Sequence, residues 1–395
     1  MVEFNPYLWE TAHNPYPIYR RLRDEAPVYR NDELGFWALS RHEDVAAAHN
    51  DPATYVSSGG VTIEGYEKDS PFLIVQDPPS HTWHRKIVGR VFTPRRIADL
   101  EPFIRSRCAT LLDQFRAADE FDIVTDFSVQ LPLSVISELL GIPEEYRGAV
   151  HRLSNQVLSR ENLDDPVQAE AVMNASLELM QLYLGLVQER RKHLRDDVIS
   201  LLIETEVTDE EGGTRRLGDE EIAYRFLELG AAGHETVAKL IPNGVVALAW
   251  YPDQRRELVT DPSLMKGAVE EMLRWEPPSH LQGRTAARDV TLHGVTIPAG
   301  DRVMLITGSA THDERVYDEP ELFDIHRVVQ HPVTFGFGIH VCLGAHLARL
   351  EIRIAFEELL ARFPDFDIDG TRAVRHVLTN VRGLSNLPLV VGVAD

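Results

Sequence analysis

Phe335-Gly336-Phe337-Gly338-Ile339-His340-Val341-Cys342-Leu343-Gly344-Ala345 is the stretch on which the reading of this chain turns. Gly336 and Gly338 permit backbone angles that other residues avoid, so the loop can fold tightly and approach something flat. Cys342 falls at the mouth of a helical run predicted from His346 to Phe363. The free N–H groups and positive dipole end of a helix stabilise a thiolate there. With aromatic Phe335 beside it, such a sulfur suits an axial ligand to haem iron, where thiolate ligation pushes electron density toward O–O cleavage. A buried structural cysteine after a glycine turn is the plainer alternative. A zinc site needs about four ligands, and the second cysteine, Cys108, has no ligand-type spacing to the first.

Three further stretches carry chemistry. Ala232-Gly233-His234-Glu235-Thr236 lies in a long helix that Asp219 is expected to cap, with Glu220 and Glu221 in the first turn, favourable to the dipole. Gly233 costs helix stability, so it needs a reason. Close approach to a flat cofactor and a local opening of the hydrogen-bond ladder would supply one. An acid next to a hydroxyl can pass protons. A zinc-protease reading fails, because Ala238 stands where a second histidine is required. Pro242, about two turns on, predicts a kink. Downstream, Glu271 and Arg274 are three apart on one helical face and precede Pro277-Pro278. Finally, no acid occurs between Asp77 and Asp99, while Arg85, Lys86, Arg90, Arg95 and Arg96 do. Pro78 and Pro79 start a helix there, and His81 and Arg85 share a face on which two donors can clamp carboxylates. A solvated basic face is the alternative.

In their order, these stretches resemble the cytochrome P450 family of haem-thiolate monooxygenases. The cysteine loop fills every fixed position of Phe-x-x-Gly-x-His/Arg-x-Cys-x-Gly. The helical stretch matches Ala/Gly-Gly-x-Asp/Glu-Thr, and Glu271 with Arg274 matches Glu-x-x-Arg. The resemblance implies a mostly α fold with a smaller β-rich lobe, the cytochrome P450-like fold, spanning 1–395 as one catalytic domain. It implies haem b (iron protoporphyrin IX) ligated by Cys342. The cofactor-binding residues would be His81, Arg85, Ala232, Gly233, Arg284, Phe335, His340, Cys342 and Gly344, with His81, Arg85, Arg284 and His340 on the propionates. Glu235 and Thr236 would be catalytic, delivering protons toward dioxygen. Glu271, Arg274 and Arg327 would form a structural ion-pair cluster.

The implied reaction inserts one O2-derived atom into an apolar small organic substrate, by hydroxylation or epoxidation. Electrons would come from a ferredoxin, reduced through an NAD(P)H-dependent reductase. A haem-thiolate isomerase, dehydratase or peroxygenase, or a haem-binding sensor or carrier, are the other readings; Glu235 and Thr236 weigh against them. Ala310-Thr311-His312-Asp313 departs from the Ala-Asn-Arg-Asp common in bacterial members.

Composition sets bounds. The 395 residues bury a large core, and two distant cysteines argue for a reducing compartment rather than a disulfide framework. No Cys-x-x-Cys-His occurs, so a haem would not be attached in the c-type manner. The start, Met1-Val2-Glu3-Phe4-Asn5-Pro6, shows no secretory signal. No apolar run approaches about 18 residues, so no membrane span is expected and the cytoplasm is the expected location. A formal charge of −22 argues against nucleic acid or an anionic membrane as partner. Within it, Arg85, Lys86, Arg90, Arg349 and Arg353 are candidates for a face that docks an acidic electron donor.

Periodicity fills in the rest. Helices are predicted at 100–115, 126–140, 144–159 and 166–192, the last with Met173, Leu177, Met180, Tyr183 and Leu184 along it; the resemblance implies that this helix roofs the substrate pocket. Strands are predicted near Pro27, at Phe36–Leu39, and from His280 to Thr307. Ser40 is expected to cap a helix from Arg41 to Asn50, with Glu43 as its capping-box acid. The glycine-rich segment 55–75 reads as a long loop, unusual unless functional or disordered; the resemblance places it over the distal pocket, and a plain surface loop is the alternative.

Overall fold

A computed structural model describes residues 2–65, 70–158, 165–208, 213–330, 332–377 and 380–391. The centre of the 55–75 loop and residue 159, the end of the helix predicted at 144–159, lie outside them. The helix Asp219–Trp250 is the axis of the helical lobe. It packs against Gln130–Leu140, Pro166–Lys192, Met265–Trp275 and Ala345–Arg362. From Val237 to Val245 every residue is buried, so this half is enclosed on all faces, as a core helix must be. The helix is continuous through Pro242.

The β-rich lobe is a five-stranded mixed sheet in the order Val28–Asn31, Phe36–Leu39, Arg302–Ile306, Leu281–Ala286, Tyr55–Val56. Arg302–Leu305 runs parallel to Phe36–Leu39, whereas its other neighbour, Leu281–Ala286, is antiparallel. The N-terminal strands are thereby joined to the segment that follows Pro277-Pro278, which brings Arg284 beside the early part of the chain.

Element boundaries follow the sequence reading closely, but the caps do not. The helix His42–Asn50 has no side-chain cap at its start. The Asp313 carboxylate accepts the His42 amide at 2.9 Å instead, and Ser40 donates to the Pro27 carbonyl at 3.4 Å. The long helix starts one residue earlier than a capping Asp219 would allow. Gly218 is its N-cap, and the Glu221 carboxylate accepts the Gly218 amide at 2.7 Å. Local spacing shows a capping box but cannot show a carboxylate arriving from 271 residues away. The stretch Ile123–Leu140 has the length and hydropathy of a membrane span, contrary to the expectation of no such run. It is 72% buried inside the fold, which makes it a core helix.

Candidate haem site

The cysteine loop is built by short hydrogen bonds onto itself. The Cys342 amide donates to the Phe335 carbonyl at 2.9 Å, and the Gly336 amide to the Val333 carbonyl at 2.8 Å. Gly336 and Gly338 have φ of 68° and 66°, the left-handed region that glycine adopts without penalty. A Cβ at Gly338 would lie 2.6 Å from the His49 carbonyl oxygen, so this turn accepts no larger residue. Gly344 is the N-cap of the helix Ala345–Arg362. A Cβ at Gly344 would lie 4.0 Å from the Cys342 sulfur. Burial pushes the thiol up from its ordinary value, while the Gly344 N–H, Arg85 and Arg349 pull it back toward the thiolate. Cys342 nevertheless keeps accessible surface. A metal ion at the sulfur would reverse the balance, because a coordinating thiol is deprotonated.

The loop is anchored from behind. Arg349 forms a bidentate pair with Glu270 at 2.5 and 2.9 Å and stacks 4.5 Å from the Phe335 ring. Thr334 donates to the Leu273 carbonyl at 3.1 Å. Both contacts run to the helix Met265–Trp275, and that helix carries the ion-pair cluster. Arg274 grips Glu271 at 2.6 and 2.7 Å, with both side chains essentially inaccessible. Its other N–H groups reach the carbonyls of Thr311, Pro320 and Leu322. Arg327 joins through Glu271 at 3.2 Å and binds the Asp318 carbonyl at 2.7 Å. The three cluster residues are thus brought together, and all five Arg274 N–H groups are used. A lysine could not replace that geometry.

Beside the cysteine loop, basic side chains converge with little to neutralise them. His81, 1% exposed, has no partner on either ring nitrogen among the described residues. Its ring centroid is 4.2 Å from that of His340. Burial and then Arg85 push the His81 imidazole down to about 4. Burial, then His81, Arg284, Arg85 and His49, push His340 down to about 3. Arg284, buried, is pushed down to about 10, with Asp77 opposing. Asp77 itself accepts the Ser57 and Ser58 amides at 2.8 and 2.9 Å. Ser57 Oγ is 3.1 Å from His340 Nε2, and Arg85 donates to the Val341 carbonyl. A buried arginine, with half-buried Arg85 and two imidazoles around it, His81 without a hydrogen-bond partner among the described residues, is costly unless an anion comes to it. A ligand with two carboxylates on one edge meets that need, so the residues present fit a haem.

On the helix Asp219–Trp250, Ala232 is exposed and Gly233, Glu235 and Thr236 are half-buried. The helix does not open at Gly233, contrary to expectation. A Cβ there would lie 3.1 Å from Ile136 Cδ1, so the glycine serves packing against the helix Gln130–Leu140. The 55–75 loop is pinned at both ends. Arg302 donates to the carbonyls of Gly59, Gly60 and Thr62, and the Gly283 amide to Val61 at 2.7 Å. Arg225 and Glu228, paired at 2.8 Å, hold the Pro71 carbonyl and the Ile74 amide. A cavity of about 620 Å³ lies between the two pinned halves, lined by Ser58, Gly59, Ser70, Pro71 and Thr285 among others.

Some expectations require correction. Met173 and Leu177 are 57% and 55% exposed, so they are not core residues, whereas Tyr183 is buried with its ring 5.8 Å from Phe226. Of the proposed docking cations, Arg349 is paired with Glu270, and Arg353 with Glu101 and Glu357. Lys86 and Arg90 remain exposed. His49 and Ser57 were invisible to motif reading; the Arg225–Glu228 pair carried a faint signal in its three-residue spacing.

The family model for cytochrome P450 matches residues 35–379. The chain is 40% identical to putative cytochrome P450 123 of Mycobacterium tuberculosis (strain H37Rv), over 98% of this chain and 96% of that one. It is 39% identical to the vitamin D(3) 25-hydroxylase of Pseudonocardia autotrophica, again over 98% and 96%. The crystal structure of CYP109E1 from Bacillus megaterium in complex with corticosterone superposes with a TM-score of 0.87 at 32% identity, covering 97% of this chain and all of that one. The chain belongs to the cytochrome P450 family, a family of haem b monooxygenases, and has its mostly α fold with a smaller β lobe.

Proposed function

We propose that this cytochrome P450 works in the cytoplasm as a single catalytic domain over 1–395. It inserts one atom of dioxygen into an apolar organic substrate, by hydroxylation or epoxidation, and releases the other as water. Two electrons and two protons balance the reaction. The observation that carries this reading is Cys342 beside the N-cap of the helix Ala345–Arg362, its amide on the Phe335 carbonyl in a loop closed by Gly336 and Gly338; the chain also carries the acid–alcohol pair Glu235-Thr236.

Haem b held there would supply one-electron and dioxygen chemistry at its iron. The chain does the rest. Cys342 is the thiolate ligand, tuned by the Gly344 N–H. His81, Arg85, Arg284 and His340 take the two carboxylates, and Phe335 and Ala232 line the faces. Thr236 holds a proton at its hydroxyl, and Glu235 resupplies it. Glu271, Arg274 and Arg327 fix the segment behind the loop. Electrons come from a ferredoxin-type protein, reduced with NAD(P)H by a separate reductase. Exposed Lys86 and Arg90, in the acid-free run, form its docking face. The named ligands of the relatives, vitamin D(3) and corticosterone, make steroid-sized apolar molecules the first class to screen.

Three measurements test the proposal together. Reduced protein with carbon monoxide shows the long-wavelength Soret band of thiolate-ligated haem. With ferredoxin, reductase and substrate, oxygen consumed matches hydroxylated or epoxidised product. With peroxide alone, product formation is minor. A carbonyl band typical of imidazole ligation in undamaged protein would end the reading.

A further inference from the structure

His49 lies on the helix His42–Asn50, and it belongs to none of the motifs. Its side chain is 4% exposed, and neither ring nitrogen has a hydrogen-bond partner among the described residues. A buried ring in that state is destabilising unless an acceptor reaches it. Its position is specific. The ring lies 3.4 Å from where a Gly336 Cβ would be, and the His49 carbonyl sits against Gly338. The helix therefore packs directly under the cysteine loop. The ring also feels Arg284, and His340 feels the ring. On the other elements packed here, the groups facing the cluster are His81, Arg85, Arg284, His340 and the carboxylate of Asp77. Asp77 is already committed to the Ser57 and Ser58 amides. Among the described residues neither His49 ring nitrogen meets an acceptor, and the charged and imidazole groups that act on this ring or that it acts on, Arg284 and His340, are among those assigned to the carboxylate edge of the haem.

We infer that His49 is a fifth member of the carboxylate cradle, donating a ring N–H to the same dianionic edge that His81, Arg85, Arg284 and His340 bind. The inference rests on the haem reading. A neutral imidazole presents one N–H donor. Placed against Gly336 of the cysteine loop and within the field of Arg284, it adds a hydrogen bond without adding another buried positive charge. It also explains how the loop and this helix are held in one arrangement once the cofactor is in place.

The test uses the haem-loaded full chain and excess apomyoglobin as the haem trap. His49→Phe keeps an aromatic ring and removes the donor; haem loss is expected to accelerate about tenfold. His49→Gln keeps an N–H and should stay within about threefold of the parent. The carbonyl absorption should be unchanged in both. A parent-like rate in His49→Phe overturns the inference, as does equal acceleration in both variants, which would mark a packing role. A second readout needs no variant at the Phe level of disruption. The 15N-histidine-labelled parent is loaded with zinc protoporphyrin IX or with its dimethyl ester, and His49→Gln assigns the signal. A downfield His49 ring N–H with the diacid that is lost with the diester is the expected result; the same signal with both overturns the inference. If the parent shows no thiolate carbonyl band at all, it is the haem reading that fails instead.

Discussion

The Ser128 hydroxyl lies 3.0 Å from the Ala238 carbonyl, the acceptor that Pro242 leaves without its backbone N–H. In a helix the amide of residue 242 would donate to residue 238, and proline has no such hydrogen. Ser128 is fully buried and ends a single π-helical turn, Ile123–Ser128, packed against the long helix. The core helix passes through a proline unbroken because a neighbouring element restores the missing bond.

Ser128→Ala should therefore lower stability by about 1–3 kcal/mol, the cost of a buried carbonyl left unsatisfied. In a Pro242→Ala background the backbone N–H returns, and the same substitution should cost clearly less. Chemical denaturation of the four proteins in a double-mutant cycle measures the coupling. Strict additivity would show that Ser128 does not serve the proline.

Glu228→Ala removes the carboxylate that accepts the Ile74 amide and leaves Arg225 unpaired. Hydrogen exchange of the Leu73, Ile74 and Val75 amides should rise about tenfold, with little change in the strand Leu281–Ala286. Unaltered protection at those amides would mean that the segment is held by other contacts.

Glu351 is buried, and its Oε2 has no partner among the described residues. Burial raises its carboxyl well above the ordinary 4.5, so the folded protein holds that proton to higher pH than the unfolded chain does. The unfolded chain releases that proton from about pH 4.5 upward, so the Glu351 contribution to stability falls as pH rises toward the folded value. Glu351→Gln removes this dependence. Its melting temperature relative to the parent should be higher at pH 8 than at pH 5; a constant difference would refute the assignment.

Lys86→Glu should slow reduction by ferredoxin several-fold at low salt and converge with the parent at high salt. Stopped-flow reduction at two ionic strengths decides this. Arg349→Glu is a poor probe of docking, because Arg349 pairs with Glu270 and stacks on Phe335.

Thr236→Ala should lower product per oxygen consumed and raise released hydrogen peroxide, while the carbonyl band stays in place. Coupling equal to that of the parent would remove Thr236 from proton delivery.

The family, the helical bulk of the fold and the identity of the loop were legible because each rests on short-range pattern. Phe335 to Gly344 is a local motif, and apolar spacing of three and four marks helices however they later pack. Element ends were nearly right for the same reason. Gly233 shows where that reading stops. Its glycine was explained by the cofactor face, and the fold places Ile136 there.

The sequence alone determined which sulfur, which acid–alcohol pair and which ion-pair helix the chain possesses, since spacing along one backbone segment fixes which side chains share a turn or a face. Only the tertiary structure decided the partners that come from far away. It set Asp313 on the His42 amide, Ser128 on the carbonyl freed by Pro242, and His49 beneath Gly336. A hydrogen bond between residues more than a hundred positions apart depends on how helices and sheet pack, and no local periodicity encodes that distance.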